Sequence, residues 1–222
     1  MSDSNAPYDK PEWKTPESPT WAARRRAAEA ARKMIENFVI CTAEEDTLNQ
    51  LADQLEAAAE KLAETPLTNG RFEGSGLKEE TFNDRGYELG PVEGRCNPLA
   101  APLTTWINDK GVHGRVNMGW RYEGPPYTVH GGHVAALFDQ FLGVGQKTTG
   151  TPGVTGELSI RYHKMTPLNT DLELFGWLEK SEGRKIVMSA EIRANGEVTA
   201  SCKCLFIRLS KASVEQIHQK TM

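Results

Sequence analysis

The sequence predicts an α+β fold in which an antiparallel sheet wraps around one central helix. One observation is a long apolar segment, 134–143, which follows a His-Gly-Gly turn at 130–132. Another is a series of four strand-like segments after it, two of them joined by Asn195-Gly196, a strong hairpin signal. A helix and one face of a sheet can bury their apolar sides against each other, so this order of elements indicates a two-layer domain.

The first 94 residues are predicted to lie outside this domain. Prolines among polar residues indicate a flexible arm over 1–19. Two helices are predicted within 20–66, one capped by Thr20 and running to about Phe38, the other from about residue 43 to 64. We predict that they form a helical hairpin. The Gly-, Asn- and Glu-rich segment 67–94 is predicted to be a linker.

The main domain is predicted over 95–210, followed by a polar tail over 211–222. Alternation of apolar and polar residues, with turn residues between the runs, predicts its strands. The predicted strands are 103–107, 112–118, 154–164, 171–179, 185–193 and 197–209.

Composition excludes several classes of function. The net charge is -4 and charged residues make up 25% of the chain, which gives no indication of a nucleic-acid partner. No apolar run is long enough to cross a bilayer. The N-terminus lacks the basic and apolar regions of a signal peptide, so we expect a cytoplasmic protein.

The cysteines do not predict a metal site. Cys202 and Cys204 share one face of a predicted strand, but no second closely spaced Cys or His pair completes a ligand set. We interpret them as small buried thiols.

The central helix carries one carboxylate, Asp139, among apolar residues. A helix that is apolar all round is buried, and a buried acid must be hydrogen-bonded, paired or used in chemistry. The first N–H groups of the helix, at Gly131 and Gly132, have no internal acceptor and can bind an oxyanion. Asp139 lies about 13 Å along the helix axis from His130 and on the opposite face, so one helix cannot easily direct its N-terminus and its own Asp139 at the same reacting group. Two copies of the helix related by a two-fold axis could do so, which indicates a dimer.

This segment resembles the hotdog-fold acyl-CoA thioesterases of the PaaI / 4-hydroxybenzoyl-CoA thioesterase type, in which a His-Gly-Gly turn opens the central helix and an acid follows at this spacing. The resemblance covers roughly residues 94–209. It implies a hotdog fold with an N-terminal helical extension, and a homodimer or dimer of dimers with its sites between subunits. It also implies an acyl-CoA substrate, with coenzyme A as part of the substrate and no metal or organic cofactor.

The resemblance also implies roles for individual residues. Asp139 would be a general base on water or a nucleophile, and the Gly131 amide would polarise the thioester carbonyl. Thr155 would hold the attacking water, although a strand threonine without such a role fits equally well. His130 would orient the thioester or water, or else stabilise the turn.

The remaining candidates would contact substrate. Gly132 offers a backbone N–H at the helix start, and His133 is expected to line the pocket or to be structural. Arg184 and Lys185, at a predicted hairpin turn, are candidates for the phosphates of coenzyme A.

One position departs from the family pattern. Some members have an asparagine six residues before the histidine, where this sequence has Gly124. Two alternative functions remain open on the residues alone. One is hydration or dehydration of an acyl thioester on the same fold. The other is a non-catalytic acyl-CoA or fatty-acyl binding protein.

Overall fold

The computed structural model describes residues 18–68, 70, 82–101, 103–150 and 153–210. The expected tail, and the expected arm up to residue 17, lie outside the described residues. The helices are α1 Pro19–Ile40, α2 Glu45–Ala63, α3 Phe82–Glu88 and α4 Gly131–Gly145. The strands are β1 Thr104–Asn108, β2 Gly111–Asn117, β3 Gly153–Tyr162, β4 Asp171–Glu182, β5 Lys185–Ala194 and β6 Glu197–Arg208.

The strands form one six-stranded sheet in the order β1-β2-β4-β5-β6-β3. Every adjacent pair in it is antiparallel. α4 packs on the inner face, so the predicted hotdog fold is confirmed. Two short 3-10 helices, Trp120–Tyr122 and Gln146–Thr149, were not predicted from the sequence.

The large side chains of α4 make the central contact with the sheet. Val134, Leu137, Phe138, Phe141 and Leu142 are almost fully buried.

The ring of Phe141 lies over two glycines of the sheet. A Cβ atom at Gly114 of β2 would lie 3.1 Å from this ring, and one at Gly176 of β4 would lie 3.0 Å from it. The two glycines therefore let the helix approach the sheet closely.

The opposite face of α4 carries small residues and Asp139. In a single chain this face is exposed or half-buried, whereas the sequence indicated a helix buried all round. The residues of this face are Gly132, Ala135, Ala136, Asp139 and Gly143.

α1 begins two residues earlier than predicted. The hydroxyl of Ser18 accepts a hydrogen bond from the Trp21 amide at 3.3 Å, so Ser18 is the N-cap and Thr20 lies inside the helix. Ser18 precedes Pro19, which is favoured in the first helical turn. Buried Arg32 then anchors α1 by donating to the backbone oxygens of Arg95 and Asn97 at 3.0 Å.

α2 has no buried residue, and it follows α1 after the short linker 41–44. Its apolar residues Leu48, Leu55 and Leu62 are exposed instead of packing on α1 as the expected hairpin would require.

The segment expected to be a linker contains α3 and several buried polar groups. The buried Glu88 carboxylate accepts a hydrogen bond from Arg25 Nε at 3.1 Å and another from Cys96 Sγ at 3.2 Å. This part of the chain therefore connects α1 to the main domain. No helix of the described residues is long and apolar enough to cross a membrane.

Gly176→Ala tests whether the close contact of α4 with the sheet stabilises the fold. The added methyl group would lie 2.8 Å from Val112 and 3.0 Å from Phe141. We expect it to lower the free energy of unfolding by about 1–3 kcal/mol, as overpacked cores do. Phe141→Leu combined with Gly176→Ala should recover part of this loss, so the changes in the free energy of unfolding measured by urea denaturation will not be additive. Strictly additive changes would contradict the contact between Phe141 and Gly176.

Candidate active site

The start of α4 is organised around His130, which is the N-cap. Its Nδ1 accepts a hydrogen bond from the Gly132 amide at 3.0 Å. An accepting Nδ1 carries no proton, so the ring proton of the neutral imidazole lies on Nε2. Of the two roles that the sequence left open for His130, the structure shows the turn-stabilising contact.

The Gly131 amide, unlike that of Gly132, does not donate to the His130 ring. It belongs to the first residue of α4, so it has no carbonyl acceptor one turn earlier in the helix. No hydrogen bond of this N–H is found within the described part of the chain. A half-buried, unsatisfied donor at a helix N-terminus can stabilise negative charge on a ligand.

Tyr162 was not singled out from the sequence. It is the last residue of β3, and its hydroxyl donates to the Gly131 carbonyl oxygen at 2.9 Å. The two residues are 31 positions apart, and no local pattern links them. The alternation that predicted β3 assigns Tyr162 to a strand face without indicating this contact.

Asp139 and Thr155 form the second half of the site. The Thr155 hydroxyl donates to Asp139 Oδ1 at 2.7 Å, and both residues are exposed. The structure therefore brings these two candidate residues into direct contact, which the sequence analysis did not predict. The other oxygen of Asp139 has no hydrogen bond within the described ranges, so it can contact a water molecule or attack a carbonyl carbon.

Buried Cys204 lies close to this pair. Burial first, and then the negative charge of Asp139, raise the pKa of its thiol to about 12. Because a thiol is a weak nucleophile when it is not ionised, Cys204 is inert at neutral pH. The carboxylate of Asp139 is the group here that can act as a base or nucleophile.

The two halves are separated within one chain. Eight residues of helix place Asp139 about 12 Å from Gly131 along the axis of α4. Thr155 and Tyr162 mark the corresponding ends of β3. A single small reacting group cannot contact both halves of the same chain.

His133 has a packing role in this structure. Its ring lies edge-on to Tyr122, with centroids 4.9 Å apart, and 6.0 Å from the ring of His130. Burial, and then the proximity of His130, lower its pKa. His133 is therefore a mainly neutral ring that supports the His-Gly-Gly turn.

A cleft of about 440 Å³ opens beside Gly131. Val134, Tyr162, Lys164 and Met165 are among the residues that line it, so it combines apolar walls with one cation.

Arg184 and Lys185 do not line this cleft in a single chain. They lie at the turn between β4 and β5, where Arg184 Nε donates to the Arg208 carbonyl at 3.3 Å.

Gly124 has no room for a side chain. A Cβ atom there would lie 2.7 Å from the Cα atom of His130. The family asparagine could be accommodated at this position only if the turn moved.

The described residues contain no group of three or more His, Cys, Asp or Glu side chains that could hold a metal ion. Cys202 and Cys204 are buried free thiols, as interpreted from their spacing.

Comparisons with known proteins agree on one family. A family model described as Thioesterase superfamily matches residues 127–201. The crystal structure of a thioesterase superfamily protein superposes with a TM-score of 0.72 and is 35% identical, covering 83% of this chain and 90% of that one.

Curated relatives match over a shorter stretch. Acyl-coenzyme A thioesterase THEM4 of Xenopus laevis is 33% identical over 39% of this chain and 40% of its own length. THEM4 of Mus musculus is 34% identical over 41% of this chain and 40% of its own length. The chain thus spans about two fifths of the length of these relatives.

The lowered pKa of His133 predicts a pH dependence of stability. The unfolded chain binds a proton at this imidazole more readily than the folded chain does. The stability that the neutral ring of His133 contributes is therefore complete above about pH 6.5, the ordinary pKa of histidine. It is lost as the pH falls through the lower pKa that His133 has in the folded chain. The urea midpoint should decrease less between pH 8 and pH 5 in His133→Gln than in the wild type. An equal decrease in both proteins would contradict the assignment.

Proposed function

The chain belongs to the thioesterase superfamily, and on that basis we propose that it hydrolyses an acyl-CoA thioester to a free acid and coenzyme A. One observation carries this proposal. An unsatisfied amide at the N-terminus of α4, at Gly131, and a hydroxyl-bonded carboxylate in the middle of α4, Asp139, lie on the same helix. Ester-type hydrolysis needs an oxyanion donor and a group that activates water, and these two residues supply them.

In the proposed reaction, Asp139 takes a proton from water as the water oxygen attacks the thioester carbonyl carbon. The Gly131 N–H stabilises the resulting oxyanion. The C–S bond then breaks, and the coenzyme A thiolate accepts the proton from Asp139. Thr155 holds Asp139 by their hydrogen bond and contacts the same water.

A second course with the same residues begins with attack by Asp139 on the carbonyl and formation of an anhydride, which water then hydrolyses. A single turnover in ¹⁸O-labelled water separates the two courses, because only the anhydride course can leave the label in Asp139. Neither course uses a metal or organic cofactor, because coenzyme A enters as part of the substrate.

The separation within one chain leads us to propose a homodimer. Two copies related by a two-fold axis can place Asp139 of one chain beside Gly131 of its partner. The long edge strand β3 supports this arrangement. It ends the strand order, so one side of its ten residues has no strand partner in the described part of the chain. Such an edge is a template for pairing with another chain.

The sequence of β3 favours one register for this pairing. With the two-fold axis at Ser159, Glu157 lies opposite the partner's Arg161, and Leu158 lies opposite the partner's Ile160. Directly opposite residues in an antiparallel pair share a face and are about 5 Å apart. Because the axis repeats each pairing, this register gives two ion pairs and two apolar contacts.

The same register completes the site. β3 is irregular between Thr155 and Glu157, where Gly156 is an extra residue. The bulge brings Thr155 opposite the partner's Tyr162. Because Thr155 is bonded to Asp139 and Tyr162 to Gly131, each acid then faces the amide of the other chain.

The small-residue face of α4 is consistent with this dimer. Gly132, Ala136, Asp139 and Gly143 lie on the side of α4 that the sheet leaves open. A Cβ atom at Gly143 would meet nothing within 4 Å, so this face has space for a second helix. Two helices with small residues at their contact can approach closely.

We propose that coenzyme A extends from the cleft beside Gly131 toward basic residues of both chains. Lys164 lines the cleft, although it also contacts Glu197 at 2.8 Å. Arg184 lies at the end of the sheet where Gly153 pairs with Arg208, which is the Thr155 end of β3. In the proposed dimer this end adjoins the partner's cleft, so Arg184 and Lys185 remain candidates for the phosphates.

Asp139→Asn tests the proposed base. We expect thiol release from the best substrate in a panel of short, long and aryl acyl-CoAs to fall about a hundredfold, as loss of a general base does. Asp109→Asn is the matched control, because Asp109 lies in the exposed β1–β2 turn. It should retain wild-type activity. Binding of an acyl-CoA without hydrolysis by the wild type would instead favour a binding protein.

A charge exchange tests the register of the dimer. Glu157→Arg or Arg161→Glu alone places like charges opposite each other twice per dimer. Each should raise the dimer Kd about tenfold or more in analytical ultracentrifugation, and activity at low protein concentration should fall with it. The double variant Glu157→Arg with Arg161→Glu restores opposite charges and should recover both. Dimerisation unaffected by the single changes would contradict this register.

A further inference from the structure

We propose that Tyr162 is a positioning residue for the proposed hydrolysis. It acts through the peptide group that joins Gly131 to Gly132. The inference rests on the proposed function, in which the Gly131 N–H receives the oxyanion.

Two side chains hold this peptide group from opposite sides. Its oxygen accepts the Tyr162 hydroxyl at 2.9 Å, and its N–H donates to His130 Nδ1 at 3.0 Å. The peptide is planar, so two fixed ends fix its orientation. We name this arrangement, Tyr162–peptide–His130, the peptide clamp.

The clamp is needed because both residues of the peptide are glycines. Glycine has a wider range of backbone conformations than any other residue, and the first turn of a helix lacks half of its internal hydrogen bonds. The Gly131 N–H belongs to the preceding peptide, whose oxygen, that of His130, accepts hydrogen bonds from the His133 and Val134 amides at 2.9 and 3.2 Å. The clamp fixes the peptide on the other side of the Gly131 Cα atom. With both peptides held, the Gly131 N–H keeps one direction before substrate arrives, and preorganised donors are the effective ones in catalysis.

The clamp also has an electrostatic consequence. The Tyr162 hydroxyl donates to the carbonyl of this peptide, and His130 Nδ1 accepts from its N–H, so both bonds polarise the peptide in the same direction. Hydrogen bonds in such a chain strengthen one another. The bond to His130 keeps its Nδ1 unprotonated and its proton on Nε2. Tyr162 therefore also supports the tautomer of His130, although the two side chains touch only through the peptide.

The space around Gly131 is adapted to the tyrosine. A Cβ atom at Gly131 would lie 3.3 Å from the Tyr162 hydroxyl oxygen, which is tighter than ordinary contact. A glycine here lets the hydroxyl reach the carbonyl. The Gly131 carbonyl, to which Tyr162 donates, points along the helix toward its C-terminus. The Gly131 N–H points the other way, out of the N-terminus of the helix. The tyrosine hydroxyl therefore bonds the backbone instead of the reacting carbonyl.

Tyr162→Phe removes the hydroxyl and keeps the ring. The matched control is Tyr127→Phe, because Tyr127 is 72% exposed beside the same cleft region and its ring contacts Trp120. We expect kcat of Tyr162→Phe to fall roughly three- to tenfold, the effect of one hydrogen bond, with KM within about twofold of the wild type. Tyr127→Phe should change neither constant.

A spectroscopic measurement separates positioning from a general structural role. In protein labelled with ¹⁵N at glycine and histidine, Tyr162→Phe should shift the Gly132 amide and the His130 ring nitrogens, and leave Gly196, in the β5–β6 turn, unchanged. In the wild type, His130 Nδ1 should show the shift of an unprotonated nitrogen. This wild-type measurement tests the clamp even if the variant does not fold.

Several outcomes would overturn the inference. A rise in KM without loss of kcat would show that Tyr162 contacts substrate. Unchanged kcat, or unchanged Gly132 and His130 signals, would show that the hydroxyl does not position the peptide. If the wild type hydrolysed no acyl-CoA, the proposed function would fail and the positioning role with it, while the labelled nitrogens would still report whether the clamp forms.

Discussion

The contact between Phe141 and two glycines of the sheet determines where the candidate residues of α4 lie. Gly114 and Gly176 let the ring rest directly on the sheet, so α4 is held at one height and in one rotation. That rotation turns the large apolar residues inward and leaves Asp139 on the open side. Because the helix runs alongside β3, its start meets Tyr162 and its middle meets Thr155.

A rigid helix also separates the two groups that the proposed hydrolysis needs. The rise of about 1.5 Å per residue cannot be shortened, so the acid and the amide stay about 12 Å apart in one chain. The open edge of β3 and the small-residue face of α4 are both on the side where a second copy would bring the groups together. In the proposed dimer, the Asp139 side chain that is exposed in one chain would lie at the subunit interface.

The N-terminal helices differ in how they relate to this domain. α1 is held by Arg32 on backbone carbonyls and by Arg25 on the buried Glu88. A buried ion pair contributes little net stability, but removing one partner leaves a costly unpaired charge, so this contact fixes the position of α1. α2 makes no such contact with the other described residues, and none of its own residues is buried.

By itself the sequence determined what depends on local spacing. The period of the apolar residues predicted α4 and all six strands to within about three residues at each end. The His-Gly-Gly turn and the lone acid gave Gly131, His130 and Asp139 as candidate site residues. Only the tertiary structure decided contacts between distant positions. The bond of Tyr162 to Gly131, the pairing of Arg25 with Glu88 and the exposure of α2 leave no trace in any short window of sequence. Their energies depend on how separate elements pack, which local periodicity does not encode.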